Sequence, residues 1–374
     1  MAGPDEVGAV LKELLGDSME DSPSFTDPWY SDRLRSQILK LVDKGETPPR
    51  TVSFGSSSES PYYEAPDRPL RMINNWEQRK LMMSGIATLT VALKMCKDKR
   101  PVTVVCTGAL PGEHIPTLAE MFPSFLFVLY GDVEPAAQLR CAGGVTICSR
   151  PFTDDEAGRW APTGDRGDGT DVIFICDFPS GGTAEETVDR NMSAQKKWTR
   201  IIQPRLASLK FQIPDNVETS YSYIKGLLLI QPWGHGAESR LITVTVNKNH
   251  EYDASQYNDW FFYHNSVRRE WGQYPVPASF DPVGVDACHD CWLESLILKE
   301  FISVSQVTIP HMETRLANII SSRLGRKDSG LFLRYIDPVH GLCVHGREET
   351  GGSAAGSVFA RRERLYAEAT QSSS

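Results

Sequence analysis

Several common signatures are missing from this 374-residue sequence. No stretch approaches the roughly 18 consecutive apolar residues that a membrane span requires, so no membrane partner is expected. The N-terminus shows no basic segment followed by an apolar core, which argues against a secretory leader. A general positive charge is missing too. The formal net charge is −9, so an RNA partner would have to be met by local basicity. The loop after the first apolar strand lacks the G-x-G-x-x-G dinucleotide pattern, which argues against a nicotinamide enzyme. Cys288 and Cys291 have C-x-x-C spacing, yet no second Cys or His pair stands at zinc-finger distance, and no metal site is expected. There is no internal repeat.

What is present is an ordinary soluble composition, 40% hydrophobic and 23% charged, within the range of globular domains. The length suits one large α/β domain with extensions, or two modest domains. Several of the eight cysteines lie inside apolar runs. Cys106 in VTVVC and Cys176 in VIFIC read as buried reduced thiols, which suits the nucleus or, alternatively, the cytoplasm. Residues 1–22 hold six acids against the single base Lys12 and read as a short helix or an acidic arm. Residues 45–70 are rich in Pro and Ser and read as a linker or surface loop. The tail contains GGSAAGS and ends in QSSS. Partial disorder is expected there, with one late helix around FARRERLYAEA. The chain thus divides into an N-terminal extension (1–70, partly flexible), a central domain (71–325) and a C-terminal extension (326–374).

Within the central domain, helical and strand patterns alternate. In NNWEQRKLMMSGIATLTVALKM, Met82, Ile86, Leu89 and Leu93 follow helical spacing behind two Asn caps. VTVVC (102–106), FLFVLY (125–130), GVTIC (144–148) and DVIFIC (171–176) are short continuous apolar runs. SLKFQI (208–213), GLLLIQP (226–232) and RLITVTV (240–246) continue the series. Strands at this spacing, with helices between several of them, predict an α/β fold with a mainly parallel sheet wrapped by helices. The crowding of the last strands permits an antiparallel edge.

Such sheets bind ligands at the carboxyl ends of their strands, and the residues there are distinctive. Gly108 and Gly112 in TGALPGEH would let backbone approach a ligand closely, or simply make tight turns. Asp132, after the second strand, either accepts ribose hydroxyls or closes a turn. Asp177 follows VIFIC, and Lys210 lies inside LASLKFQI. A charge beside a buried apolar strand needs a partner or a task. The two could form a buried ion pair. Alternatively, desolvation lowers the lysine's proton affinity and makes it a general base. Glu238, at the start of a later strand, could add a second carboxylate. From Arg190 to Lys210 there are six basic residues and no acid. This is either a solvated helix face or the local basicity that RNA binding would need.

These pieces, in this order, resemble the poxvirus cap-specific mRNA (nucleoside-2′-O-)-methyltransferase family, whose viral members double as the small subunit of the poly(A) polymerase. The likeness runs from about Trp76 to Ile302 and rests on Gln78-Arg79-Lys80-Leu81, the loop Gly108 to His114, Ile175-Cys176-Asp177, Ala207 to Lys210, and the run from Gln231 to Leu241. Trypanosomatids have relatives of this viral enzyme that methylate further cap nucleotides, and the tails of this chain suit that branch. The resemblance implies a Rossmann-like S-adenosylmethionine-dependent methyltransferase fold and a catalytic set of Lys80, Asp177, Lys210 and Glu238. It implies cofactor contacts from Gln78, Gly108, Pro111, Gly112 and His114, with Asp132 on the ribose and Phe152 and Thr153 beside the adenine. RNA or cap contacts are expected from Asp215, Arg240, Lys197 and Arg200. The chain departs from the family pattern at the cap pocket, where Ile213 stands near an expected aromatic and Asn258 near an expected acid. S-adenosylmethionine is the implied cofactor, and capped mRNA or another RNA the implied substrate. RNA-processing proteins are the partners expected of the two extensions.

Overall fold

The computed structural model describes residues 50–52, 76–96, 101–165, 170–178, 185–214, 216–234, 238–265, 274, 277, 280, 289–305, 311–324, 335–336 and 343–344. The acidic stretch 1–22, most of 45–70, the late helix expected beyond residue 357 and Asp215 lie outside these residues.

The first described helix, α1 (Trp76–Met95), presents Met82, Ile86 and Leu89 as a fully buried stripe. It is followed by β1 (Val102–Thr107), α2 (Ile115–Met121), β2 (Phe125–Gly131), a 3-10 turn (Ala137–Cys141) and β3 (Val145–Ser149). Then come α3 (Asp154–Arg159), β4 (Asp171–Cys176), α4 (Glu185–Ile202) and β5 (Leu206–Phe211). The chain continues through β6 (Ser220–Ile224), β7 (Leu227–Leu229), β8 (Ser239–Thr243), β9 (Asn249–Asp253) and α5 (Ala254–Tyr263). Helices α6 (His289–Ser305) and α7 (Met312–Arg323) and the two-residue strands β10 (Tyr335–Ile336) and β11 (Cys343–Val344) complete the described elements.

Seven strands form one sheet in the order β3-β2-β1-β4-β5-β8-β7. The first five are parallel, while β8 runs antiparallel to β5 and to β7. The order 3-2-1-4-5 is that of a Rossmann-like doubly wound sheet, with its switch point between β1 and β4. The fold is therefore α/β and mainly parallel, with the antiparallel edge that the crowded final strands permitted. Burial follows position in the sheet. Every residue of β1 is buried, whereas the edge strand β3 is half exposed. Central parallel strands are covered on both faces by helices, which is why they read as unbroken apolar runs. Each fully buried side chain in them, such as Ile173 or Phe174, contributes about 1.5–3 kcal/mol.

Three sequence expectations change. SLKFQI is not the strand itself; β5 starts two residues earlier, at Leu206, and ends at Phe211. A second, two-stranded sheet pairs β6 with β9. Part of the expected linker 45–70 is docked. Thr51 bridges Leu229 at the β7 edge, Val52 N–H donates to Leu228 O at 2.9 Å, and both Thr51 and Val52 are buried. Arg50 pairs with Glu300 of α6. Short pairing of this kind covers what would otherwise be an open sheet edge.

Candidate active site

The carboxyl ends of β1, β4 and β5 meet the N-terminal half of α1 and the start of β8, and five ionisable groups converge there. Glu238 sits between two lysines. Its Oε1 accepts from Lys80 Nζ at 2.7 Å, and its Oε2 faces Lys210 Nζ at 3.0 Å. Lys80 comes from α1, Lys210 from β5 and Glu238 from the residue before β8, so three separate elements meet on one carboxylate. Lys80 is 1% exposed. Burial alone would lower its pKa, but the carboxylates of Glu238 and Glu77 outweigh burial and hold it above the ordinary lysine value. Burial pushes Glu238 up, yet Lys80 and Lys210 together bring it down to about 2. Both groups are therefore charged at neutral pH. Lys210 Nζ also donates to Phe178 O at 3.3 Å, and Gln195 of α4 donates to Lys210 O at 2.5 Å.

Asp177 is engaged differently from the sequence expectation. Its carboxylate is salt-bridged to the guanidinium of Arg240, which also donates to Cys176 O at 3.1 Å. Arg240 is 1% exposed. Arg240, expected from the resemblance to contact RNA, is paired internally with Asp177. Lys210 and Arg240 are direct cross-strand partners on β5 and β8. Like charges at such positions repel, and the two carboxylates offset this, Glu238 at the lysine and Asp177 at the arginine.

The loop after β1 borders this cluster. Gly108 and Gly112 both have positive φ, at 77° and 76°, a region that glycine enters without steric cost. A side chain at Gly108 would place its Cβ 1.2 Å from Asp177 O, so this loop and the Asp177 strand end pack backbone to backbone. Gly108→Ala is expected to cost upwards of about 4 kcal/mol, the size reserved for backbone incompatibility. An unchanged thermal midpoint in that variant would show that the loop can take another path. Pro111 is half-buried, and its carbonyl accepts from Ala136 N–H at 2.9 Å.

His114 and Gln78 meet as expected, but on each other. His114 Nδ1 donates to Gln78 Oε1 at 2.9 Å. The ring is buried, and burial, assisted by the charge of Arg240, lowers its pKa to about 3. A neutral ring enclosed in this way orients Gln78, and it lines a small cavity together with Ala109, Asp177 and Arg240. The Phe152 ring packs against Tyr130, Phe174 and Trp198 at centroid distances of 4.8, 5.7 and 5.0 Å. Thr153 caps α3, accepting from Glu156 N–H at 3.4 Å. Asp132 is exposed just beyond β2, at the switch-point end of the sheet. Ile213 is a core residue, 2% exposed. Lys197 and Arg200 lie away from the cluster on α4, bound to Asp154 and Asn249.

Two partners escaped the sequence reading. Glu77 lies 2.8 Å from Lys80 Nζ, one helical turn before it, and the i, i+3 spacing could have identified it. Arg79 forms a buried ion pair with Glu294 of α6 and lies 5.5 Å from the Trp233 ring centroid. Trp233 Nε1 donates to the same Glu294 at 2.9 Å. This anchors Trp233 in a left-handed conformation, φ 65°, that costs a non-glycine residue roughly 1–2 kcal/mol.

Among solved structures the chain is similar to the magnesium protoporphyrin IX methyltransferase of Synechocystis PCC 6803, with S-adenosylmethionine bound. Identity is 10% over 47% of this chain and 85% of that one, with a TM-score of 0.27. It is similar to an amino pentose methyltransferase of Micromonospora echinaspora at 16% identity, over 50% of this chain and 82% of that one, with a TM-score of 0.24. For the sugar N-methyltransferase of Streptoalloteichus sp ATCC 53650 the values are 12%, 60%, 96% and 0.24. No curated protein sequence matches the chain. The family model described as Poly A polymerase regulatory subunit matches residues 54–275.

Proposed function

The chain belongs to the Poly A polymerase regulatory subunit family, and from that premise we propose that it transfers a methyl group from S-adenosylmethionine to a ribose 2′-hydroxyl of capped mRNA. The observation that carries this reading is the Glu238 carboxylate held between Lys80 and Lys210 at 2.7 and 3.0 Å. Four charged groups that resemble a 2′-O-methyltransferase set, Lys80, Asp177, Lys210 and Glu238, sit where a Rossmann-like sheet binds its ligand.

The residues present suit the cofactor. Gly108 and Gly112 hold the loop after β1 tightly against the Asp177 strand end and Leu139, Gln78 is fixed by His114, and exposed Asp132 offers two acceptor oxygens to a ribose diol. S-adenosylmethionine supplies a methyl group activated by its sulfonium charge. The residues of the chain supply the proton transfer and the alignment. A ribose hydroxyl holds its proton at neutral pH, so a base must take it as the oxygen attacks. Lys210 first gives up its ammonium proton to solvent; its neutral Nζ then accepts the ribose proton, and Glu238 favours the ammonium that results. Lys80, kept charged by its two carboxylates, steadies the negative charge developing on the oxygen. Asp177 acts through Arg240, tying the end of β4 to β8 across β5, and so positions the site.

The test is methyl transfer from labelled S-adenosylmethionine to a short capped RNA, followed by nuclease mapping. Label on a ribose 2′-oxygen is expected. Label on a base, or none despite cofactor binding, overturns the proposal. An uncapped transcript run alongside separates a cap enzyme from one acting on other RNA. The family description also supports a second reading, a catalytically idle RNA-binding subunit. That reading predicts no cofactor requirement, and equilibrium binding of labelled S-adenosylmethionine distinguishes the two.

A further inference from the structure

α4 bears a concentration of positive charge that no step above uses. Lys196, Lys197 and Arg200 stand at i, i+1 and i+4, so they share one side of the helix. With Ser193 and Ile201 they line an open depression of about 370 Å3. Each cation also touches the wall beside it. Lys196 Nζ donates to Ser222 O of β6 at 2.8 Å, Arg200 donates to Asn249 Oδ1 of β9 at 2.6 Å, and Lys197 pairs with Asp154 at the start of α3. All five lining residues belong to α4, so the depression is an open face of that helix, flanked by the β6–β9 ribbon and α3. Asp154 and Glu251 are the acids that act on these cations, which leaves the patch positive in a chain of net charge −9. The crowding has a cost: partial burial and the nearby Arg200 lower the proton affinity of Lys196. A polyanion would relieve that repulsion. The Lys197–Asp154 pair is exposed on both sides, and pairs of that kind hold by only about 0–1 kcal/mol, so Lys197 can exchange partners.

The opposite side of the same helix supports the catalytic cluster. Gln195, the neighbour of Lys196, donates to Lys210 O, and Trp198 packs on Phe178, whose carbonyl receives Lys210. The basic depression is thus about one helix thickness, roughly 10 Å, from Lys210.

The geometry points to this depression as a phosphate track for single-stranded RNA, in which Lys196, Lys197 and Arg200 each neutralise one phosphodiester of the strand whose ribose is presented to Lys210. The track rests on the RNA reading of the active site, but it is measured separately from methyl transfer. Its ligand chemistry is the ribose-phosphate backbone, so it carries no sequence preference.

The experiment is the salt dependence of binding between the full chain and a fluorescent single-stranded RNA. Each neutralised phosphate contributes about −0.7 to the slope of log affinity against log salt. The combined variant Lys196→Ala, Lys197→Ala, Arg200→Ala should therefore lose about 2 from the magnitude of the slope. Between 50 and 200 mM salt the wild type should then lose about 20-fold more affinity than the variant does. Each single substitution should remove about a third of the effect, which guards against a folding defect in the triple variant. A slope unchanged within error in all four variants overturns the track, whatever the chain does to a methyl group. Methyl transfer by the unaltered chain is followed in parallel. Its absence with an intact slope effect would overturn the active-site reading and leave the track standing.

Discussion

Lys210→Ala will lose methyl transfer by about 10²- to 10⁴-fold, the contribution of one positioned proton acceptor, while affinity for S-adenosylmethionine stays within about twofold, less than 0.5 kcal/mol. The reasoning is geometric. Lys210 enters the cluster from β5 and binds Glu238 and Phe178 O, whereas the residues proposed for the cofactor lie on α1 and at the ends of β1 and β2. Lys210→Arg separates base from electrostatics. A guanidinium can keep the contact with Glu238 but cannot be deprotonated in a protein. It should therefore be as inactive as the alanine variant. Turnover by Lys210→Arg at more than about a tenth of the wild-type rate would mean that this position contributes charge and not a base, because a tenfold loss is only about 1.4 kcal/mol of barrier. Single-turnover kinetics are the proper measurement, since product release can otherwise mask the chemical step.

The sequence was legible where burial and charge met. Asp177 and Lys210 drew attention because each interrupts an apolar run, and both lie at the sheet's carboxyl edge. The resemblance implies an RNA or cap contact for Arg240, yet it stands two residues after Glu238. Alternation along a strand puts those two side chains on one face, and Lys210 is directly opposite Arg240. The partner of Asp177 was therefore implicit in the strand pattern. Glu77 was passed over because acids in a first helical turn are already favoured by the helix dipole, so its presence there required no other reason. The ribbon β6–β9 was not legible. SYSYI and NHEYD have little aliphatic content, and what buries them is a cluster of Tyr223, Tyr252 and Phe211. Those contacts join residues distant in sequence, which local periodicity does not register. The side-chain partners of His114 and Phe152, Gln78 for the one and Tyr130, Phe174 and Trp198 for the other, likewise come from distant elements, and only packing reveals them.

Glu238 should matter for stability as much as for chemistry. Removing one carboxylate from a buried cluster leaves uncompensated cations, and breaking a buried pair typically costs about 3–5 kcal/mol. Glu238→Gln keeps the shape and removes the charge, so it isolates electrostatics from packing. The dependence on pH has a definite sign. Lys80 and Lys210 bring the Glu238 carboxyl from 4.5 to about 2 against the opposing effect of burial. A depressed carboxyl contributes stability that is fully present above its unfolded pKa and is lost as pH falls through the folded value. A displacement of that size corresponds to on the order of 3 kcal/mol at neutral pH. The stability gap between wild type and Glu238→Gln should thus be constant from about pH 6 to 8 and close progressively between about pH 4.5 and 2. At the alkaline end the raised pKa of Lys80 works the other way. Its contribution is complete below the unfolded lysine value and disappears as pH rises through the folded one. Urea unfolding of both proteins across this range measures the gap directly, because other titrating groups are common to both. A gap that stays open to about pH 2 would mean that Glu238 remains ionised in the folded state there although it is protonated in the unfolded chain, and the two-lysine clamp would then be stronger than its geometry implies. A gap near zero at neutral pH would mean that the lysines find other partners when Glu238 is neutralised, and the role of Glu238 as the centre of the network would fail.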